Sequence, residues 1–311
     1  MKEHIPHIRV RADNGFLVAR DGIILCFFMR RSHQEVAPLV WRALQTYLRA
    51  IPPGALSGYV ACEGGILPLD DEGWDDIRQD MLERPCPVSR SVYLREHIDQ
   101  VGSYNFEYYG RRLDAPIFAR DENSTCAVSF TFPTGYLMEH GAARIRALAL
   151  ELAHELPFSF GYASPVLVAP NTWWYAARGA VRALRDRYPG LDVYDIEETS
   201  RRLGTRARGP YWLTFLGQPL LGQLGGLESL RQRLPFPEMS LQPLDDERAL
   251  LTLSEWPDAI DTEQEPIPPQ FLALGRLLEP FMYEQEVTGW FFHDDKEGME
   301  DMRRWIRRFC P

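Results

Sequence analysis

Lysine is almost missing from this 311-residue chain: apart from Lys2 and Lys296, every base is an arginine. Acidic residues outnumber basic ones by 44 to 34, a formal charge of −10. A surface with that balance repels nucleic acid phosphates and anionic membranes, so neither is expected as a partner. A basic protein suits it better. Long apolar runs are missing as well. The opening Met-Lys-Glu-His-Ile-Pro-His has no apolar stretch of the kind a secretory signal needs. The longest early run, Ile23 to Met29, is far too short to span a bilayer and reads as a buried strand. The expected compartment is the cytoplasm.

The chain is equally short of paired cysteines and clustered histidines. Its five cysteines (Cys26, Cys62, Cys86, Cys126, Cys310) stand apart, which is not a zinc pattern, and the odd number argues against a disulfide framework. Cys26 and Cys126 sit inside strand-like apolar runs and read as small buried hydrophobes. The seven histidines (His4, His7, His33, His97, His140, His154, His293) include no His-x-x-x-His or His-Glu-x-x-His spacing. His293-Asp294-Asp295 reads as a hydrophilic turn after a strand rather than a metal site. Glu151 and His154 lie one helical turn apart, but the di-iron helix pattern they match needs a second copy, and none exists. No Gly-x-Ser-x-Gly elbow, Walker loop or Gly-x-Gly-x-x-Gly is present. No catalytic residue, cofactor or metal is therefore assigned. A Ser-His-Asp triad dispersed along the chain stays open, because its members need no fixed spacing.

What is present is an ordinary globular balance, 45% hydrophobic and 25% charged, with 8 Trp and 13 Tyr. Such aromatics serve both cores and binding surfaces. Asn14-Gly15 and Asp21-Gly22 are turn signals that divide the opening into a hairpin of Ile8–Val10 and Phe16–Met29. A helix follows over His33–Ala50, with Ser32 as N-cap and Glu35 three residues on. Strands are expected near 58–62, 91–95, 104–109, 125–132, 158–162, 211–215, 249–253 and 286–292. Helices are expected near 74–82, 135–156, 172–188, 224–234, 271–278 and 299–309, with a further short element at 192–198. The Arg-rich last helix reads as a docked amphipathic element. Strands come in groups between helices, which favours α+β with largely antiparallel sheet flanked by helices over a doubly wound fold. The expected organisation is a single compact domain over 1–311, or two lobes joined near residues 157–170.

Charge is unevenly spread. From Pro237 to Met302 there are 17 acidic residues against Arg248, Arg276 and Lys296, a local net of −14. Large aromatic side chains lie among those acids, and aromatic anchors beside one sign of charge are what a steered protein interface uses. The candidate partner-binding residues are Asp245, Asp246, Glu247, Trp256, Asp258, Asp261, Trp290, Phe292, Asp294 and Asp295. A plain solvated acidic face is the competing reading.

The run Tyr211-Trp212-Leu213-Thr214-Phe215-Leu216-Gly217, followed by Leu224-Gly225-Gly226 and a helix carrying Leu227, Leu230 and Leu234, resembles the immunity proteins of bacterial type VI secretion systems. Ser91-Val92-Tyr93-Leu94-Arg95, Tyr108-Tyr109-Gly110-Arg111 and the opening hairpin and helix are similar to that family too. The likeness runs from about Arg9 to Leu253 and is less clear in the acidic third. Trp212, Gly217, Gly225 and Gly226 are structural in this motif, so the resemblance implies no catalytic residues. It implies a protein that binds and neutralises a cognate secreted toxin, a nuclease, by protein–protein occlusion. An acidic protein can fill the basic, phosphate-binding cleft of a nuclease by mimicking nucleic acid charge. Two other classes stay open: a small-molecule hydrolase, which would show a deep pocket with a His beside a carboxylate of perturbed pKa, and a secretion-system adaptor, which would show a large apolar patch.

Overall fold

The computed structural model describes residues 5–61, 64–98, 100–118, 120–169, 174–284 and 296–310, with the backbone alone for 174–178 and 296–299. Its first half contains β1 (Arg9–Arg11), β2 (Leu17–Met29), α1 (His33–Ala50), β3 (Gly58–Ala61), β4 (Gly65–Pro68), α2 (Asp71–Leu82), β5 (Ser89–Arg95), β6 (Asn105–Arg111), β7 (Cys126–Phe132), α3 (Thr134–His140) and α4 (Ala142–Glu155). The second half contains β8 (Phe160–Val168), α5 (Trp174–Arg187), β9 (Asp192–Val193), α6 (Ile196–Arg202), β10 (Leu213–Leu216), α7 (Leu220–Gln223), α8 (Gly226–Arg233), β11 (Ser240–Pro243), β12 (Ala249–Thr252), α9 (Pro269–Leu278) and α10 (Lys296–Ile306). The twelve described strands form one sheet of order β11-β12-β10-β8-β2-β7-β6-β5-β3-β4, with β1 added to β2 and β9 to β8. All of these pairs are antiparallel except β8–β9. The protein is α+β, as its grouped strands imply.

Helices cover both faces of this sheet, and β2 shows why its sequence is apolar throughout. Ile23, Leu25, Phe27 and Met29 pack on one face with residues of α1 to α4. Ile24, Cys26 and Phe28 pack on the other with residues of α5 to α10. Strands buried on both sides lose polar alternation. On the first face α1 buries Val36, Val40, Ala43, Leu44 and Tyr47, the i, i+4 stripe read from the sequence. Its N-terminus is held by Glu35, whose Oε1 accepts from the Ser32 backbone N–H at 3.1 Å.

Four readings need correction. Asp21-Gly22 is not a turn: it lies within β2, where the strand's neighbour changes from β1, paired through Arg20, to β7, paired from Ile23. Asp21 is buried and accepts from the Ile8 backbone N–H at 2.8 Å and from Arg9 at 2.5 Å, so its carboxylate ties β1 down instead of turning the chain. The helix expected at 135–156 is two, α3 and α4, parted by Gly141 at φ 80°, a conformation that favours glycine. The strand expected at 158–162 runs on to Val168, because β2 offers it a partner over that whole length. The short strands β4 and β11 were not anticipated; they are half-exposed edges with little apolar pattern. The strand expected at 286–292 lies outside the described residues, as do Cys62 and His293. Cys26, Cys86 and Cys126 are buried free thiols. Among the described residues no helix is long and apolar enough to cross a membrane.

Candidate partner-binding surfaces

The acidic third begins at one rim of the sheet, in the hairpin of β11 and β12. Its tight turn closes through the Leu244 N–H to the Arg248 carbonyl at 2.9 Å, and Asp245 accepts from the Glu247 N–H at 2.9 Å. Arg248 then fixes the turn to the body. It pairs with Asp245 at 2.6 Å, donates to the Leu156 and Ala153 carbonyls at 2.7 and 3.1 Å, and lies 5.2 Å from the Phe158 ring. Those carbonyls lie at the C-terminus of α4, where a cation is favoured. The guanidinium also holds the Asp245 carboxyl below the usual carboxylate range. Asp246 and Glu247 are left exposed. Beside them is a groove of about 580 Å³ whose lining includes Arg30, Arg31, His154, Asp245, Glu247 and Arg248. Its charge is mixed rather than acidic.

The other candidates lie at the far end of β12, about 10–13 Å away for a four-residue strand. Trp256 is half-buried against the core. Asp258 accepts from the Ile260 N–H at 2.7 Å, which shapes the loop where Ile260 takes φ 60°. Asp261 makes a two-pronged pair with Arg187 at 2.7 and 3.0 Å, and Glu263 meets the same guanidinium at 2.8 Å. Asp301 is buried and pairs with Arg185, and with Arg304 at 3.1 Å. Glu279 and Glu284 pair with Arg307 at 3.6 and 3.5 Å. Asp245, Asp261, Glu263, Glu279, Glu284 and Asp301 are therefore paired with arginines, most of which come from outside this third. Trp290, Phe292, Asp294 and Asp295 lie outside the described residues.

The glycine and tryptophan motif has a structural place. Trp212 is 2% exposed, and its indole N–H donates to the Ser254 carbonyl at 2.9 Å. A Cβ on Gly217 would stand 2.3 Å from the Phe158 carbonyl oxygen, so only glycine allows that approach. Gly225 and Gly226 take φ 87° and 74° at the junction of α7 and α8.

The opposite rim carries a surface that the sequence reading passed over. Residues 63–83 hold eight acids and a single base, Arg78, a local net of −7. Here β4 is the terminal strand: β3 pairs with one side, and among the described residues no strand pairs with the other. Leu67 is 45% exposed and Ile98 41%. A Cβ on Gly58 would meet both Ile98 and Ile66, at 2.9 and 3.3 Å, so those two side chains converge on one face of the edge. Leu67 stands opposite Tyr59 on the other face. There the Tyr59 phenol is raised above its ordinary value by burial and by Asp76, Asp70 and Glu72. Asp70 caps α2 by accepting from the Gly73 N–H at 3.0 Å. Asp76 and Asp80 are paired with Arg84, at 2.7 and 3.3 Å. Asp71 and Glu72 are exposed and form no ion pair among the described residues.

Two buried polar layers lie inside. Arg208 and Asp192 pair at 2.6 Å, and Tyr162 donates to the same carboxylate at 2.9 Å while stacking on Tyr211 with centroids 4.0 Å apart. Under α6, burial pushes the Glu107 carboxyl up to about 7 against the pull of Arg95, and its Oε2 has no hydrogen-bond partner among the described residues. Asp195, the N-cap of α6, is raised to about 6 by burial. Among the described residues no histidine joins these carboxylates. His33 is buried beside the Tyr108 hydroxyl at 2.9 Å, with its pKa lowered to about 4 by burial and by Arg90, and His154 in the groove is exposed. Among the described residues no group of three or more His, Cys, Asp or Glu could hold a metal ion.

A family model described as type VI immunity for VRR-NUC (TsiV) matches residues 39–309, which is 271 of the 311 residues. The match starts inside α1 and continues through the acidic third, well past the Leu253 limit read from the motifs. The fold is similar to that of the Pseudomonas aeruginosa T6SS protein PA0821, with a TM-score of 0.80 at 18% sequence identity, covering 98% of this chain and 88% of that one. At that identity the likeness shows a common fold. No curated protein sequence matches the chain.

Proposed function

This chain belongs to the TsiV family, type VI immunity for VRR-NUC, and is an immunity protein whose partner is a cognate nuclease effector; we propose that it silences the effector by stoichiometric binding, without chemistry of its own. The family match carries this reading. The chain's charge of −10 supports it, since a nuclease must present a basic surface to phosphates, and opposite fields speed encounter. The protein acts in the cytoplasm, where an incoming nuclease would meet its DNA. Of the acids first expected to touch the partner, Asp246 and Glu247 keep exposed carboxylates and contribute to steering. Asp261 is bound to Arg187 and Asp245 to Arg248, so each contributes little to the outward field.

The test is a titration of effector nuclease activity with increasing amounts of this protein. Stoichiometric inhibition gives a linear fall ending at one mole per mole, independent of preincubation time, with active effector recovered after the complex is dissociated. Complete inhibition at a small fraction of that ratio, deepening with time, would mean that the protein modifies its partner catalytically.

A further inference from the structure

Two rims of the sheet end in open strands, and they are not equivalent. They stand nine strand spacings apart along the pairing path, about 40 Å, so one small nuclease domain docks on one of them. At the β11 rim, Leu241 and Gln242 are half-buried, and Gln242 accepts from Arg146 at 2.7 Å. The adjoining acidic turn is clamped by its own arginine. At the β4 rim no strand pairs with the outer edge among the described residues. An antiparallel edge strand turns alternate N–H and C=O groups outward, and proteins ordinarily blunt such edges with lysine, proline or brevity. β4 is four residues long and ends at Pro68, but it carries no charge, and Leu67 is exposed.

Resting on the immunity reading above, we infer that the outer edge of β4 is the docking strand for the effector, which adds an extended segment carrying lysine or arginine side chains. Backbone hydrogen bonds to residues 65–68 supply alignment, as in strand-addition complexes generally. Apolar side chains of the added strand cover Leu67 on one face, and Ile66 with Ile98 on the other. Its bases reach Asp71 and Glu72 in the first turn of α2, exposed carboxylates that form no ion pair among the described residues. Complementary charge selects the occupant: a second copy of this chain would bring its own exposed Asp71 and Glu72 against the same pair, and like charge opposes that pairing.

The experiment measures affinity of the cognate effector, inactivated at its nuclease site, for four forms of the full-length protein. These are the wild type, Leu67→Arg with Ile98→Arg, Asp71→Lys with Glu72→Lys, and Asp246→Lys with Glu247→Lys. The two β4-rim variants should each bind about 30-fold or more weakly, the scale of a lost hot spot. The melting midpoint should be unchanged for Leu67→Arg with Ile98→Arg and drop only slightly for Asp71→Lys with Glu72→Lys, which removes first-turn carboxylates of α2. The variant at the opposite turn should lose less than about threefold, the scale of a steering contribution alone. Amide exchange supplies a readout free of substitution: the outward-facing amides among residues 65–67, Pro68 having no N–H, should slow in the wild-type complex. Wild-type binding with unslowed amides, or with both rim variants at full affinity, overturns the docking strand and leaves the immunity reading standing. No binding by the wild type overturns both.

Discussion

Replacing Glu107 by glutamine should make the protein more stable in alkali and leave it nearly unchanged in acid. The carboxyl is buried under α6, and burial moves its pKa from an ordinary 4.5 to about 7. Each tenfold change in an acid constant is worth about 1.4 kcal/mol, so the ionised form costs roughly 3 kcal/mol in the folded state. The sign follows from proton binding. Between those two pKa values the folded protein holds a proton that the unfolded chain has released, so stability falls as pH rises through the window and is fully present below it. Asp195, raised to about 6, acts in the same direction in both proteins, and its carboxylate also helps to raise Glu107. Arg95 opposes the shift, and Glu197 adds to it. An amide at position 107 has its own hydrogen-bonding cost, but that cost is the same at every pH. The useful quantity is therefore the difference between two differences: the stability gain of Glu107→Gln at pH 9 minus its gain at pH 5, about 2.5 kcal/mol because pH 5 already lies just inside the window. Urea unfolding of both proteins at the two pH values measures it. A difference near zero would show that the carboxylate is solvated or paired in the folded protein and would refute the reasoning.

Trp212→Ala removes a side chain that is 2% exposed and should cost about 3–5 kcal/mol. Thermal melting measures this, and an unchanged midpoint together with lost effector binding would make the motif a contact surface instead of core. Asp192→Asn leaves Arg208 buried without its counter-ion and should cost about 3–5 kcal/mol, whereas replacing both partners with apolar residues should cost much less. Urea unfolding of the single and double variants separates these cases, and equal costs would contradict the buried-pair account.

The legible parts of this fold were those with local causes. α1 was bounded correctly because its apolar stripe and its Ser32–Glu35 cap lie within one stretch of sequence. Asp21-Gly22 misled because a turn dipeptide can equally mark a place where a strand changes neighbours, and only the pairing of β2 with both β1 and β7 decides between them. The edge strands β4 and β11 have neither an apolar run nor alternation, since half of each faces solvent. Charge was read least well. Counting acids from Pro237 to Met302 misses the arginines that neutralise them, such as Arg187 for Asp261, 74 residues away. The smaller acidic run around α2 was not weighed as a surface at all, although Asp71 and Glu72 stand beside the terminal strand of the sheet. The family resemblance was carried by a strand and two glycines whose backbone geometry is now visible.

The account rests on charge-steered occlusion, and the most direct measurement is the association rate of this protein with its cognate effector across a salt series. Attraction between exposed charges is screened over about 8 Å at physiological ionic strength and about 3 Å at 1 M. The association rate should therefore fall at least about tenfold from 50 mM to 500 mM salt, while dissociation changes little. An association rate indifferent to salt would contradict the account, because the acidic surface would then serve solubility and not recognition.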